Sequence, residues 1–299
     1  MSIAPPPGIY VPAVLFFDEK ENFDVPAIKL HILRLAQVAS SLFESHDERK
    51  EAITLTRETL DENGFQNVIV IAGTGAQSTR ETKKLCVDAK DAGATYALVL
   101  TPSTWPPQMT LENIIRFHRE VADASPIPIM VYNFPVVTAG QDLDSDTIAT
   151  LAEHPNIVGT KLSCGNIGKL HRLTTRFQQS EFAVYAGRTD VFTQGLLSGS
   201  AGAIAALVNV LPKLHIKLYK MYQEGNLKGA MELQGKLGHA DWAIGRIGGI
   251  GGVKAVISAN FGYGSPVVRG PLKALDPARL TENKHYMIMQ EMIALEKEL

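Results

Sequence analysis

In Ser125-Pro126-Ile127-Pro128-Ile129-Met130-Val131-Tyr132 an apolar run from Ile127 ends on a phenol, and in Pro155-Asn156-Ile157-Val158-Gly159-Thr160-Lys161 a run from Ile157 ends on an amine. Between them, residues 145–154 carry a helical pattern opened by Asp144-Ser145, a favoured helix start. Strand, helix and strand within about 30 residues is the size of a parallel βαβ unit. The same alternation extends in both directions. Strand candidates lie at 10–17, 67–72, 96–101, 182–185 and 202–206, and helix patterns at 25–37, 47–63, 79–92, 111–124, 167–178 and 190–197. Ser45, three residues before Glu48, has capping-box spacing, and Ser78 stands before the helix at 79. Gly64, Gly93 and Gly199 follow helices where a left-handed cap is wanted. A count approaching eight predicts an α/β fold, a (β/α)8 TIM barrel over residues 1–224, with functional groups at the C-terminal strand ends. A doubly wound open sheet is the alternative.

Beyond Val210 the pattern changes to helices at 212–223, 227–239, 252–260 and 280–298. Residues 225–299 read as a C-terminal helical extension, with 248–252 as a flexible joint and Gly270-Pro271-Leu272 as a turn. One interval breaks the period. Only residues 38–43, a serine-interrupted and poor strand, separate the helices at 25–37 and 47–63. A second strand and its loop, on the order of a dozen residues, are missing near 37–38. A closed barrel cannot lose a strand without changing its shear. Either residues are absent there, in which case Gln37 and Val38 stand much farther apart than the roughly 3.8 Å of a trans peptide, or the deletion is real and the fold is damaged at that point; the first is the expectation. The same is expected near Ser103/Thr104.

Composition narrows the function. The chain has 299 residues, a net charge of −2 and two cysteines. Without a basic excess there is no means of neutralising phosphates, so nucleic acid is not an expected partner. Two cysteines make neither a disulfide framework nor a cysteine-rich zinc site, and they suit a reducing compartment. No signal peptide and no membrane-length apolar run is read, so a cytoplasmic protein with no membrane partner is expected.

Lysines are rarely buried without a role, and Lys161 closes a buried strand. Desolvation of an amine favours its neutral form, the nucleophile that attacks a ketone. A lysine that snorkels to solvent is the bland alternative. Tyr132 ends its strand in the same way one unit earlier, where a phenol can relay protons or simply sit wet at the rim. Together the two make a Schiff-base site. Gly73-Thr74-Gly75-Ala76-Gln77-Ser78-Thr79 lacks both the G-x-G-x-x-G pattern and the P-loop lysine, and reads as a tight turn. The eight histidines show no metal spacing and read as surface or satisfied residues, so no metal is expected. No Gly-x-Ser-x-Gly elbow supports a serine hydrolase.

The chain resembles the dihydrodipicolinate synthase / N-acetylneuraminate lyase superfamily of class I aldolases over nearly its whole length, from Val11-Pro12-Ala13 to Gly270-Pro271-Leu272. Its most specific pieces are Ala72-Gly73-Thr74-Gly75 with Thr79, Ile129-Met130-Val131-Tyr132-Asn133-Phe134-Pro135, and the run from Pro155 to Lys161 followed by Gly165-Asn166. The resemblance implies a (β/α)8 barrel with a C-terminal helical extension. It also implies a Schiff base between Lys161 and pyruvate or another 2-oxo acid, proton shuttling by Tyr132, backbone contact near Ile204, and a distal substrate contact at Ser163. No cofactor is implied beyond the imine itself, and a homotetramer or homodimer is.

Two departures stand out. The family's Gly-Thr-Thr-Gly-Glu-like motif after the second strand, which supplies pyruvate-carboxylate donors and a hydroxyl relay, is absent from the interval that lacks a strand. The aromatic pair after Thr101-Pro102 is replaced by Ser103-Thr104-Trp105-Pro106. Synthase members carry an arginine where this chain has Val137, and a valine cannot make a forked carboxylate pair. Ser125-Pro126-Ile127-Pro128 and Phe261-Gly262-Tyr263-Gly264 look most like 4-hydroxy-2-oxoglutarate aldolases and 2-keto-3-deoxy sugar-acid aldolases. The expected function is cleavage of such a 2-oxo acid to pyruvate, or glyoxylate plus pyruvate. Synthase-type condensation of pyruvate, or a non-catalytic relative that binds a 2-oxo acid, stays open.

Overall fold

The computed structural model of the chain describes residues 2–36 and 46–299. Seven strands form one parallel sheet: β1 (Gly8–Tyr10), β2 (Ile71–Gly73), β3 (Tyr96–Leu100), β4 (Ile129–Asn133), β5 (Ile157–Leu162), β6 (Ala183–Ala186) and β7 (Gly202–Ile204). Their order, β1-β7-β6-β5-β4-β3-β2, places each of β2 to β7 beside its sequence neighbour and brings β1 back against β7. The sheet is therefore curled. β4 and β5 are buried throughout, as continuous apolar runs covered on both faces must be. Gly202 makes the β7–β1 seam possible: a Cβ there would stand 1.8 Å from the carbonyl oxygen of Gly8, at a φ of +148°.

Outer helices connect the strands: α1 (Val25–Ala36), α2 (His46–Glu62), α3 (Thr79–Asp91), α4 (Leu111–Ala124), α5 (Ser145–Ala152), α6 (Ile167–Thr174) and α7 (Phe192–Leu197). Their starts follow capping chemistry. Ser78 Oγ accepts from the Glu81 amide at 3.2 Å, Asp144 Oδ1 from Thr147 at 2.7 Å and Asn166 Oδ1 from Lys169 at 2.8 Å. Four helices then follow β7: α8 (Pro212–Gln223), α9 (Leu227–Ile247), α10 (Gly249–Phe261) and α11 (Tyr286–Lys297).

Several expectations need correction. The first strand forms only over Gly8–Tyr10, not over 10–17. Pro12 has no amide to donate, and the chain leaves the sheet there. The Val14 amide donates to Asn209 Oδ1, and Phe16 packs edge-on against His31 and Tyr263. The joint at 248–252 is confined to Gly248 and Gly249, the two with positive φ, and α10 is helical from Gly249 on. The last helix begins at Tyr286, because Pro277–Glu282 forms a separate 3-10 turn.

No strand stands between β1 and β2 among the described residues. The Gln37/Val38 junction and the capping serine Ser45 lie outside them. At Ser103/Thr104 the expected break is not there. Both amides donate to one oxygen, Gln77 Oε1, at 2.8 and 2.9 Å, so the loop after β3 is short in its own right.

Candidate active site

The C-terminal ends of β4, β5 and β6 are laced together. The Ser163 amide donates to the Asn133 carbonyl at 2.9 Å, and the Gly187 amide donates to the Leu162 carbonyl at 3.0 Å. In this register Tyr132 stands directly beside Lys161. Lys161 is 2 % exposed and Tyr132 5 % exposed. The Lys161 ammonium nitrogen sits 4.1 Å from the centroid of the Tyr132 ring, within cation–π range. Ser163 Oγ lies 3.5 Å from the Tyr132 hydroxyl and 3.3 Å from the Gly187 carbonyl oxygen, toward which it donates. Phe134 stacks on Tyr132 at 5.5 Å between centroids.

Three of the four site residues expected from the sequence therefore meet: Lys161, Tyr132 and Ser163. Ile204 is buried at the end of β7, two strands from β5, where its neighbour Ala205 donates its amide to the Tyr10 carbonyl at 3.2 Å. Val137, on the loop after β4, is 48 % exposed and offers no polar atom from its side chain.

Sequence reading missed the groups that hold this corner. Asn133 is buried, and its side-chain amide is used at both ends. Its Oδ1 accepts from the Leu143 amide at 3.0 Å, and its Nδ2 donates to Asp142 Oδ1 at 2.7 Å. Lys169 on α6 ion-pairs with the same Asp142 oxygen. Gly187 was missed as well. A Cβ there would fall 2.4 Å from Ser163 Oγ and 2.6 Å from its nitrogen, so only glycine lets the serine sit where it does. Asn133 was visible inside a quoted motif, but its partners are nine and ten residues away across a loop.

The loop after β6 carries Arg188, whose Nε donates to Asp190 Oδ1 at 3.0 Å. Behind it, Asp241 on α9 accepts from the Asp190 amide at 3.2 Å. Burial, and then the nearby Asp190 charge, raise the Asp241 carboxyl to about 6.

Of the eight histidines, His118 departs from the reading as surface or satisfied. It is fully buried on α4, and neither ring nitrogen has a hydrogen-bond partner among the described residues. Among the described residues, no helix is long and apolar enough to cross a membrane.

Comparison with known proteins agrees with this geometry. The Dihydrodipicolinate synthetase family matches residues 40–288. The chain is 41% identical over 269 residues, 86% of its length and 86% of the relative's, to a protein of Emericella nidulans named probable 4-hydroxy-2-oxoglutarate aldolase, mitochondrial. It is also 41% identical to the L-threo-3-deoxy-hexylosonate aldolase of Hypocrea jecorina, over 92% of this chain and 93% of that one. Among solved structures it superposes with a TM-score of 0.83 and 27% identity on YagE of E. coli K12 in complex with pyruvate, covering 96% and 98% of the two chains. With a family match across most of its length and relatives of this identity, the chain belongs to the dihydrodipicolinate synthetase family.

Proposed function

We propose that the chain is a class I aldolase, a lyase that cleaves a 4-hydroxy-2-oxo acid or a 2-keto-3-deoxy sugar acid to pyruvate and an aldehyde, which is glyoxylate when the substrate is 4-hydroxy-2-oxoglutarate. The observation that carries this reading is a lysine only 2 % exposed, its nitrogen 4.1 Å from the centre of the Tyr132 ring, with the Ser163 hydroxyl beside that phenol. Relatives named as aldolases, and a related structure holding pyruvate, agree with it.

In the proposed reaction the Lys161 amine attacks the 2-oxo carbon and water leaves, forming an iminium ion. Tyr132 takes the proton of the 4-hydroxyl. The C3–C4 bond breaks, its electron pair moves into the iminium to give an enamine, and the aldehyde departs. The enamine is protonated at C3, and water hydrolyses the imine to release pyruvate. The lysine spares the substrate a high-energy carbanion by offering an electron sink. Ser163 supplies a neutral hydroxyl to the distal part of the substrate, and Val137 supplies none. A second carboxylate therefore finds no forked partner at Val137, and aspartate semialdehyde should be a poor acceptor.

Among the described residues β1 and β2 are the two ends of the strand order, and an eighth strand of a (β/α)8 barrel would lie between them. The expected pyruvate-carboxylate donors belong to that side of the site. The two free thiols fit a reducing compartment, cytoplasm or mitochondrial matrix alike. A homotetramer or homodimer is the expected assembly.

Borohydride reduction in the presence of pyruvate tests the imine. Mass mapping should find the adduct on Lys161, and Lys161→Ala should lose both adduct and turnover while keeping its fold. An adduct on another lysine, or none, removes the assignment. Retro-aldol cleavage of 4-hydroxy-2-oxoglutarate or a 2-keto-3-deoxy sugar acid should outpace condensation with aspartate semialdehyde and should survive a chelator.

A further inference from the structure

The two strand ends that carry Tyr132 and Lys161 are joined a second time, behind the site, through Lys169 and Asp142. Lys169 is 3 % exposed in its side chain although it belongs to an outer helix, and its ammonium reaches Asp142 Oδ1. That oxygen also receives the Asn133 amide at 2.7 Å, while Asn133 Oδ1 takes the Leu143 amide at 3.0 Å. Asn133 is the residue after Tyr132, and its carbonyl accepts from Ser163. The start of α6 is fixed in turn by Asn166, which caps the Lys169 amide at 2.8 Å. Polar contacts therefore run from the Tyr132 strand end through Asn133 to Asp142 and Lys169, and the short chain from the start of α6 back to Ser163 and Lys161 completes the link.

A buried ammonium is costly to keep without a partner, and burying an ion pair is a poor way to gain stability alone. Here Asp142 remains 44 % exposed in its side chain while Lys169 is enclosed. The pair fixes the loop after β4 against the helix after β5, which is a geometric role. Among the described residues the Tyr132 hydroxyl is met by Ser163 Oγ at 3.5 Å, and its buried ring stacks on Phe134, so its placement over Lys161 is tied to the strand end at Asn133 that both neighbours flank.

We infer that Lys169, Asp142 and Asn133 are positioning residues that hold the Tyr132 phenol over the Lys161 amine. The inference rests on the aldolase reading for its kinetic consequence but not for its geometry. Misplacement of a proton-transfer group by about 1 Å can cost on the order of 100-fold in rate. Lys169→Met and Asp142→Asn should lower kcat by about 10- to 100-fold, leave KM close to wild type, and still allow borohydride trapping of pyruvate on Lys161. Lys169→Arg, which keeps the charge, should recover most of the rate. Asp142→Asn strands a buried ammonium and could fail to fold, and Lys169→Met removes that charge while breaking the same link.

A readout free of turnover separates this from the function itself. With carbon-13 at lysine Cε, the Lys161 resonance, assigned with Lys161→Ala, carries the ring-current shift of Tyr132. That shift should change in Lys169→Met and return in Lys169→Arg. An unchanged shift in Lys169→Met, or a kcat as low in Lys169→Arg as in Lys169→Met, overturns the inference. A changed shift in protein that never traps pyruvate supports the positioning role and removes the aldolase reading instead.

Discussion

Gly187 shows how a single missing methyl group decides what the site can hold. Its Cβ would meet not a flexible side-chain end but the Ser163 nitrogen at 2.6 Å and the Leu162 carbonyl carbon at 2.7 Å, as well as Ser163 Oγ at 2.4 Å. The backbone would have to shift, and Ser163 lies 3.5 Å from the Tyr132 hydroxyl. Gly187→Ala should therefore reduce kcat/KM for 4-hydroxy-2-oxo acids by at least about tenfold, through loss of positioning. The imine with pyruvate, which needs only Lys161, should still be trapped. Steady-state kinetics and borohydride trapping on the same preparation check this. Unaltered kinetics would mean that Ser163 tolerates the displacement and takes no part in substrate placement.

At the level of elements, α4 carries an acid-sensitive liability. Desolvation holds the imidazole of His118 down to about 3, and it also lowers His31 to about 3 and His215 to about 4. His31 and His215 have hydrogen-bond partners, Tyr263 and Asn209 for the first, Thr189 and Leu211 for the second. His118 has none among the described residues. A histidine with a depressed folded-state value takes its proton first in the unfolded chain. Its stabilising contribution is complete above the unfolded value near 6.5 and is lost as pH falls toward the folded one. Asp241, raised to about 6, acts in the opposite sense: its contribution is present below the unfolded value and fades as pH rises through 6. Glu296 is raised too, chiefly by burial, so three histidines still outweigh two carboxyls between about pH 6 and 4.

Replacing a buried, unbonded polar ring by an apolar group of similar size is close to neutral or stabilising. His118→Leu should match or exceed wild type at pH 7 and flatten the pH dependence below 6 by about 1.4 kcal/mol per pH unit. Urea unfolding at pH 7 and pH 5 measures both, and an unchanged slope would show that His118 does not stay neutral in the folded chain.

The same elements show where sequence reading reaches and where it stops. Lys161 and Tyr132 could be found because a polar residue at the end of an apolar run contradicts its surroundings. The strand that fails at Pro12 was also legible in principle, since a proline removes the donor a strand interior needs. Asp142 and Lys169 could not be found: one looks like an ordinary loop charge and the other like an ordinary charge in the first turn of a helix, and their link spans 27 residues and an intervening strand. His118 sits at a position whose inward direction is clear from helical spacing, but whether its nitrogens find partners depends on what α4 packs against.

For the whole molecule, the segment before β1 decides more than its length suggests. Residues 2–7 run across the N-terminal ends of the strands, opposite the site. Ser2 Oγ donates to Asn156 Oδ1 at 2.8 Å, just before β5, and the Ala4 amide reaches the Ser180 carbonyl, shortly before β6, at 3.5 Å. Three tyrosine hydroxyls from the sheet then use this segment as their acceptor. Tyr96 donates to Ile3 at 3.1 Å, Tyr10 to Pro6 at 2.9 Å, and Tyr185 to the same Pro6 carbonyl at 2.7 Å. Burial raises the Tyr10 phenol to about 12 and drives Tyr185 still higher, so both stay neutral donors at any working pH. Prolines are well suited to such a segment. Their carbonyls are free to accept, they carry no amide that would need a partner of its own, and their fixed φ lowers the entropy lost on ordering the chain.

Removing residues 2–6 would take the acceptors from all three hydroxyls, and a buried hydroxyl left unmet costs about 1–3 kcal/mol. Tyr185 is fully buried and cannot turn to solvent, whereas Tyr96 and Tyr10 lie nearer the edge. The truncated chain should lose about 2–6 kcal/mol of stability if two hydroxyls stay unmet. Tyr185→Phe should restore part of that loss in the truncated chain while destabilising the full one. Tyr185 is also the register neighbour of Lys161 on the strand beside it, so a loosened segment could in principle reach the site. Both strands are buried throughout, however, and kcat measured well below the melting temperature should stay near wild type. Thermal melts of the four chains, with and without the truncation and with Tyr or Phe at 185, form a closed cycle. A coupling of zero between the two changes would mean that the segment does not serve Tyr185 at all.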